Sequence, residues 1–327
     1  MEQRSLGSTG LRVSALGFGA GAVGGLMVRG APAEQTQAVA RALAAGITYF
    51  DTAPGYGDGR SEENLGRALR ELGAWDRAVV GTKVRLGPAD LADPAAAVRR
   101  SCEASLRRLG RERVDLLQVH NRVAATADGE ALTVEQSTGP VAGALRRLVE
   151  AGLIGHAGFT GMGETDAVHA VVRAGVFATV QTYFNAVNPS AGYAGASGGG
   201  QDFAGLIDAA AGAGLGVIVI RPFAAGALSA SAARHPLAGN PGGAVMAGTP
   251  YAADLARAQA LVPLAAELGL EGPLELALRF ALAKAGVSTV LVGYSDLDQL
   301  EQAIRWAERG PLPAEVVQRV VTVARST

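Results

Sequence analysis

Residues 46–69 read "GITYFDTAPGYGDGRSEENLGRAL". Ile47, Thr48, Tyr49 and Phe50 are apolar, β-branched or aromatic, a buried-strand pattern. The run ends abruptly at Asp51, passes through a Thr-Ala-Pro-Gly turn to Tyr56, and continues into an amphipathic helical pattern over 61–72. A strand, a glycine-rich loop and a helix in this order make one βα unit. The unit leaves an acid and a phenol at the end of its strand.

The same alternation extends in both directions. Strand-like runs fall at 14–18, 47–50, 78–82, 114–119, 156–159, 179–184, 217–220 and 289–292. Helical patterns lie between them at 33–45, 61–72, 94–109, 140–151, 164–174, 202–214, 254–268 with 273–285, and 296–307. Proline opens several of these and glycine closes several. Eight strands, each followed by a helix, predict a parallel sheet closed into a (β/α)8 TIM barrel. The opening "QRSLGSTGLRVS" predicts an N-terminal β-hairpin turning on residues 7–10, and residues 313–324 an extra C-terminal helix. No linker divides the chain, so 1–327 is read as a single domain. Long connections at 121–139, 186–201 and 222–251 follow strands four, six and seven, and would emerge at the C-terminal face where barrel enzymes build their sites.

Composition narrows the partners. Lys+Arg 29 against Asp+Glu 30 leaves a net charge of -1, so no overall field favours nucleic acid or anionic lipid. Cys102 is the single cysteine, which excludes an intrachain disulfide and a thiolate cluster and suits a reducing cytoplasm. The apolar run 14–28 contains five glycines and does not read as a secretory core, and no run is long enough to span a membrane. A cytoplasmic protein acting on a small molecule is expected.

"GAGAVG" at 19–24 fits the dinucleotide pattern G-x-G-x-x-G. In a doubly wound fold a helix opens within that motif and an acid follows about 20 residues on. Here the next helical pattern starts near Ala33, and the first aspartate after the motif is Asp51. Gly19 and Gly21 are read instead as positions where backbone approaches a ligand closely.

Four ionisable residues stand at or just past the ends of successive strands: Asp51 and Tyr56 after the second, Lys83 after the third and His120 after the fourth. In a barrel these ends are neighbours. A free tyrosine, with a pKa of about 10, exchanges protons poorly near neutrality. An ammonium about 4 Å away favours the phenolate by roughly 4 kcal/mol at an effective dielectric of 20, equivalent to about three pKa units. Asp51 would hold that lysine charged, and His120 would fix a substrate oxygen against Tyr56. Each residue alone also has a plain structural reading: a turn cap, a packed ring, a solvated charge, a core histidine.

With these residues in view, "YFDTAPGYGDGRSEENLGRAL", "VGTKV", "VDLLQVHN", "GLIGHAGFTG", "VQTYFN" and "VLVGYSDLDQLEQAI" resemble, in register over almost the whole chain, the signatures of the aldo-keto reductases. The resemblance implies a (β/α)8 barrel that binds an extended nicotinamide dinucleotide and reduces aldehydes and ketones, or runs the reverse oxidation. It assigns Tyr56 as general acid, Lys83 and Asp51 as the pair that tunes it, and His120 as the orienting histidine. Gln181 matches the glutamine on the nicotinamide carboxamide. Thr160 replaces a serine, and Gly161 stands where asparagine or arginine is common.

The later strands depart further from the family. Ile220 occupies the place of an aromatic residue against the nicotinamide ring, and Arg221 beside it is read as a cofactor-phosphate contact or a surface ion pair. Phosphate-gripping cations would fall at Gly293 and Gln299, both uncharged; Ser295 is carried over as a further contact. Ala303 replaces an asparagine at the adenine, where Gln302 keeps a polar group. Asp296 and Asp298 put negative charge where a 2′-phosphate would lie. NADP is the family's usual cofactor; NAD is possible because the 2′-phosphate cations are missing.

The expected reaction is carbonyl reduction by hydride transfer, without metal, since the four histidines (His120, His156, His169, His235) lack ligand spacing. His156 and His169 are read as structural or surface groups. Two other readings stay open: an NAD-dependent sugar dehydrogenase of the same fold, and a slow-turnover cofactor-sensing subunit such as the potassium-channel β-subunits of this family. The sequence is silent on substrate and oligomeric state.

Overall fold

The computed structural model describes residues 1–241 and 249–326. A short antiparallel hairpin, β1 (Gln3–Ser5) and β2 (Arg12–Ser14), precedes the barrel strands β3 (Leu16–Gly19), β4 (Tyr49–Asp51), β5 (Val79–Val84) and β6 (Val114–Val119). The strands β7 (Arg122–Ala124) and β8 (Ala131–Thr133) form a separate parallel pair inside the connection 121–139. The barrel resumes with β9 (Ile154–Thr160), β10 (Thr179–Tyr183), β11 (Gly216–Ile220) and β12 (Val287–Gly293). The eight barrel strands run parallel and close, with β12 pairing back onto β3.

Around them lie α1 (Leu26–Arg29), α2 (Pro32–Ala44), α3 (Arg60–Glu71), α4 (Pro94–Leu109), α5 (Val134–Gln136), α6 (Ala142–Glu150) and α7 (Thr165–Arg173). They are followed by α8 (Leu206–Gly212), α9 (Tyr251–Ala258), α10 (Val262–Glu267), α11 (Pro273–Ala283), α12 (Leu297–Glu308) and the C-terminal α13 (Ala314–Ser326). The barrel, the hairpin and the last helix follow the sequence expectation.

Parallel strands covered by helices on one face and packed inside on the other bury both faces, which is why they read as apolar runs rather than alternations. The outer faces and the helices share one large core that includes Val39, Leu65, Val98 and Leu145. Inside the barrel a smaller cluster of Tyr49, Leu116, Ile218 and Leu291 is completed by Leu6 and Val13 of the hairpin, which plugs the N-terminal end. That leaves the C-terminal end for chemistry.

Several expected boundaries move, each for a local reason. Residues 14–18 are not one strand: the Ser14 hydroxyl donates to the Leu16 carbonyl at 2.6 Å and accepts the Thr48 amide at 2.9 Å, turning the chain from hairpin into barrel. The third strand runs through Val84, so Lys83 lies within it, not after it. A single turn, α1, interrupts the loop after β3, so helix begins before Ala33. The helix expected from residue 140 starts instead with a π turn, Ser137–Val141, around Pro140, whose missing amide removes a rung of the ordinary ladder. Residues 202–205 belong to the preceding loop, since the Phe203 amide donates to the Ser190 hydroxyl and the Gly205 amide to the Ser190 carbonyl, and α8 opens at Leu206. The connection 222–251 lies partly outside the described residues, at 242–248.

Candidate active site

The loop after β4 is clamped before it presents its side chains. The Thr52 and Ser61 hydroxyls share a 2.7 Å hydrogen bond, and Ser61 also donates to the Ala20 carbonyl at 2.7 Å. Fully buried Glu62 accepts from the Thr82 hydroxyl at 2.5 Å and from Arg108 at 2.6 Å, tying the start of α3 to β5 and α4. Between these anchors the chain reverses through Gly57, Asp58 and Gly59, all at positive φ. A Cβ at Gly57 would lie 2.4 Å from a Val28 methyl, and one at Gly59 would lie 2.6 Å from the Arg108 side chain. Only glycine satisfies both the backbone angle and the space. The tight reversal fixes Tyr56 over the barrel mouth.

Below it, Lys83 is 1% exposed and its ammonium donates to Asp51 Oδ1 and, at 2.8 Å, to the Thr52 carbonyl. The same nitrogen lies 4.9 Å from the centre of the Tyr56 ring. Burial alone would lower the lysine, but the Asp51 carboxylate, with Tyr56 beyond it, raises its pKa above the usual value. Burial conversely pushes the Asp51 carboxyl up, opposed by Lys83 and by amide donors on Oδ2: Gln181 at 2.5 Å and Gln118 at 3.3 Å. We regard the pair as ionised, because each oxygen of the carboxylate has a donor.

The His120 ring meets the Tyr56 ring edge-on, with centroids 6.1 Å apart and planes at 87°. Burial first, then the charges of Lys83 and Arg85, drive the imidazole down to about 3. His120 is therefore neutral near pH 7: it can donate a hydrogen bond but carries no spare proton.

A cavity of about 760 Å³ opens over the C-terminal strand ends. It brings together Asp51, Tyr56 and His120 with Gly19, Gly21, Thr160, Gln181, Ile220, Arg221, Gly293, Ser295, Gln299 and Gln302. Lys83 alone of the expected set is not on its wall; it lies behind Asp51, to which it is bonded. At Gly21 a Cβ would find only the Tyr56 ring edge, at 3.8 Å, so the wall there is bare backbone.

Several of these side chains are already engaged. The Thr160 hydroxyl donates to the Val119 carbonyl at 3.0 Å. Ser295 donates its amide to Gln299 Oε1 at 2.9 Å and its hydroxyl to the Gly24 carbonyl at 2.6 Å. Arg221 has φ 59°, a left-handed value costly for a side chain of this size, and donates to the Pro241 carbonyl at 2.7 Å. Burial lowers its pKa from the usual arginine value. Gly161, where the family pattern has a longer residue, leaves no free room: a Cβ would sit 3.1 Å from the Gln181 carbonyl and from a Leu206 methyl.

The sequence reading assigns no site role to three residues that line or support the cavity, and misses the local role of a fourth. Gln118 on β6, two residues before His120, is fully buried and reaches Asp51; its signal was a polar residue at the inward parity of His120. Arg234 and His235 join the cavity from the connection after β11, where no periodicity marks them. Asp296 proves to be the N-cap of α12, accepting the Gln299 amide at 2.7 Å and facing His235 Nε2 at 3.4 Å.

The Aldo/keto reductase family model matches residues 15–325. The chain belongs to this family. L-galactose dehydrogenase of Arabidopsis thaliana is 29% identical over 310 residues, 93% of this chain and 87% of that protein. Pyridoxal 4-dehydrogenase of Microbacterium luteolum is 37% identical over 149 residues, covering 37% of this chain and 43% of that one. The holo form of aldo-keto reductase AKR11C1 from Bacillus halodurans superposes with a TM-score of 0.74 at 24% identity, over 100% of this chain and 97% of that chain. Membership implies an oxidoreductase. It also agrees with the closed eight-stranded barrel seen here.

A nicotinamide dinucleotide suits these walls. The cavity volume lies in the range of cofactor sites, its floor is bare glycine backbone at Gly21, and Arg221 and Arg234 place two cations on one side. Among the described residues no helix is long and apolar enough to cross a membrane.

Proposed function

We propose that this chain, acting as one domain, interconverts a carbonyl group and its alcohol with NAD(H) or NADP(H), Tyr56 exchanging the proton. The observation that carries the proposal is the position of Tyr56, with the buried Lys83 ammonium 4.9 Å from its ring on one side and the neutral His120 on the other. When bound, the nicotinamide supplies or accepts the hydride. The phenol hydroxyl gives a proton to the substrate oxygen in reduction and takes it back in oxidation. Lys83 stabilises the phenolate, Asp51 keeps Lys83 charged, and His120 orients the oxygen by donating a hydrogen bond.

Gln181 and Thr160 are assigned to the nicotinamide carboxamide, with Ile220 shielding one ring face and Gly19 and Gly21 allowing close approach. Arg221 and Arg234 are placed at the pyrophosphate, and Ser295, Gln299 and Gln302 near the adenosine, beside Gly293. The N-terminus of α12, an anion-attracting position, is already filled by the Asp296 carboxylate. That favours NAD(H) over NADP(H).

Oxidation of a sugar is the second reading. It draws on the likeness to a protein named L-galactose dehydrogenase and on the acidic α12 terminus. A panel of aldehydes, ketones and sugars assayed in both directions, with NAD(H) and with NADP(H), separates the two. In each, Tyr56→Phe should lower kcat by about 10²–10⁴-fold while dinucleotide binding persists. Unchanged turnover in that variant would refute the proton role, and binding without turnover in the parent protein would mark a sensor.

A further inference from the structure

Tyr49 and Tyr294 are the largest fully buried side chains among the described residues; the Tyr49 hydroxyl makes no hydrogen bond of ordinary geometry, yet Gln181 and Asp51 lie close enough to act on it. Packing does not require that oxygen, since phenylalanine would fill the same space. The barrel is nevertheless shaped around it. On β5, a Cβ at Gly81 would lie 2.6 Å from the Tyr49 hydroxyl; on β3, a Cβ at Gly17 would meet Leu291 at 2.8 Å and Thr289 at 2.9 Å before the Tyr49 ring at 3.3 Å. At Gly81 the neighbouring strand thus forgoes a side chain where the phenol hydroxyl lies. The position that crowds the hydroxyl at Gly81 is also 3.6 Å from Asp51 Oδ2, so the phenol lies in the neighbourhood of the carboxylate that holds Lys83. A buried hydroxyl that makes no ordinary hydrogen bond beside a buried carboxylate calls for a role.

Asp51 Oδ2 is where donors compete. Its shortest hydrogen bond, 2.5 Å, comes from Gln181, and the next, 3.3 Å, from Gln118. On the reading given above, Gln181 also serves the nicotinamide carboxamide. An amide turned toward that ligand loosens its hold on Oδ2. We propose that Tyr49 is a positioning residue that acts through Asp51: its hydroxyl donates to Oδ2 when Gln181 turns to the nicotinamide, keeping the carboxylate solvated by protein while the cofactor is bound. Burial first, and then the Asp51 charge, hold the phenol well above its usual pKa, so it remains a donor.

This inference rests on the proposed nicotinamide site, and its test separates the two. Affinities of the full-length protein and of Tyr49→Phe are measured by fluorescence or calorimetric titration for NADH and for ADP-ribose, which lacks the nicotinamide. Losing a hydrogen bond to a charged group should weaken NADH by about tenfold, leave ADP-ribose unchanged, and leave the melting temperature of the ligand-free protein equal or higher. Equal NADH affinity in both proteins overturns the inference and leaves the cofactor site standing. A parallel loss for ADP-ribose, or a fall in the ligand-free melting temperature, overturns it by making Tyr49 a structural residue. A parent protein that binds ADP-ribose and NADH equally weakly defeats the nicotinamide site and this inference with it.

Discussion

The cavity has two ends built by different means. Over β4, β5 and β6, the groups that matter are in strands or one short loop away, buried, and bonded to one another: Lys83 to Asp51, Asp51 to Gln181 and Gln118, Glu62 to Thr82 and Arg108. Over β11 and β12, the groups come from connections and are held mainly to backbone. Arg221 reaches the Pro241 carbonyl, Arg234 the carbonyls of Ala225 and Gly239 at 2.8 Å each, and Arg29 ties residues 22 and 237 together. The first end fixes side chains against side chains, so a substitution breaks a network. The second hangs a segment on carbonyls that any residue supplies, so side chains can change while the path of the chain persists. Departures from the family pattern concentrate at this second end, at Ile220, Gly293 and Gln299.

The largest effect should come from breaking the first end at its centre. Lys83→Met removes the cation beside Tyr56, and kcat should fall by about 10²–10⁴-fold in steady-state assays. The variant also leaves Asp51 buried without its counter-ion, an expected destabilisation of about 3–5 kcal/mol. A companion with both Lys83→Met and Asp51→Asn restores neutrality and should regain much of that stability while staying inactive. If the double variant is active, the ion pair serves the fold and not the chemistry.

What was legible in the sequence follows the same division. The eight strands showed because both of their faces are buried, which leaves long apolar runs, and the proposed catalytic set drew notice because Asp51, Lys83 and His120 interrupt those runs at their ends. Gln118 interrupts a run in the same way but was passed over, since glutamine carries no charge to draw the eye. Arg234 and His235 were not legible at all: their placement depends on a connection whose path is set by backbone carbonyls, and carbonyls leave no trace in a side-chain pattern. The N-cap role of Asp296 was written in "SDLDQ", where an aspartate is followed three residues later by Gln299. It was read as a repulsive charge alone. The break at Ser14 was hidden because a serine that bonds both neighbours' backbones looks, in sequence, like any strand residue.

A second test sharpens the contrast through pH. His120 has a folded pKa of about 3, below its usual 6.5. A depressed histidine stabilises the fold fully above its unfolded value, and that contribution is lost as pH falls from about 6.5 toward the folded value, by about 1.4 kcal/mol per unit. Between pH 7 and pH 4.5 the parent protein should therefore lose about 2.5 kcal/mol more than His120→Gln, read from denaturant midpoints at each pH. Equal losses would mean that the imidazole is not held neutral.

The smallest effect is expected at the second end, where a single charge sets cofactor preference. Asp296 caps α12 through the Gln299 amide, and serine can accept the same hydrogen bond, so Asp296→Ser should keep the helix and remove only the charge. A phosphate ester near that terminus would then meet the positive end of the helix without an adjoining carboxylate. The preference for NADH over NADPH, taken as the ratio of kcat/KM values, should shift toward NADPH by about tenfold, equivalent to roughly 1.4 kcal/mol at a partly exposed site. The shift should shrink as salt is raised, since screening acts on exposed charges and far less on a buried pair such as Lys83 and Asp51. A ratio that does not move, or that moves equally at every ionic strength, would show that backbone shape rather than charge selects the dinucleotide here. The second end would then discriminate by the path of its chain, the same feature that holds it in place.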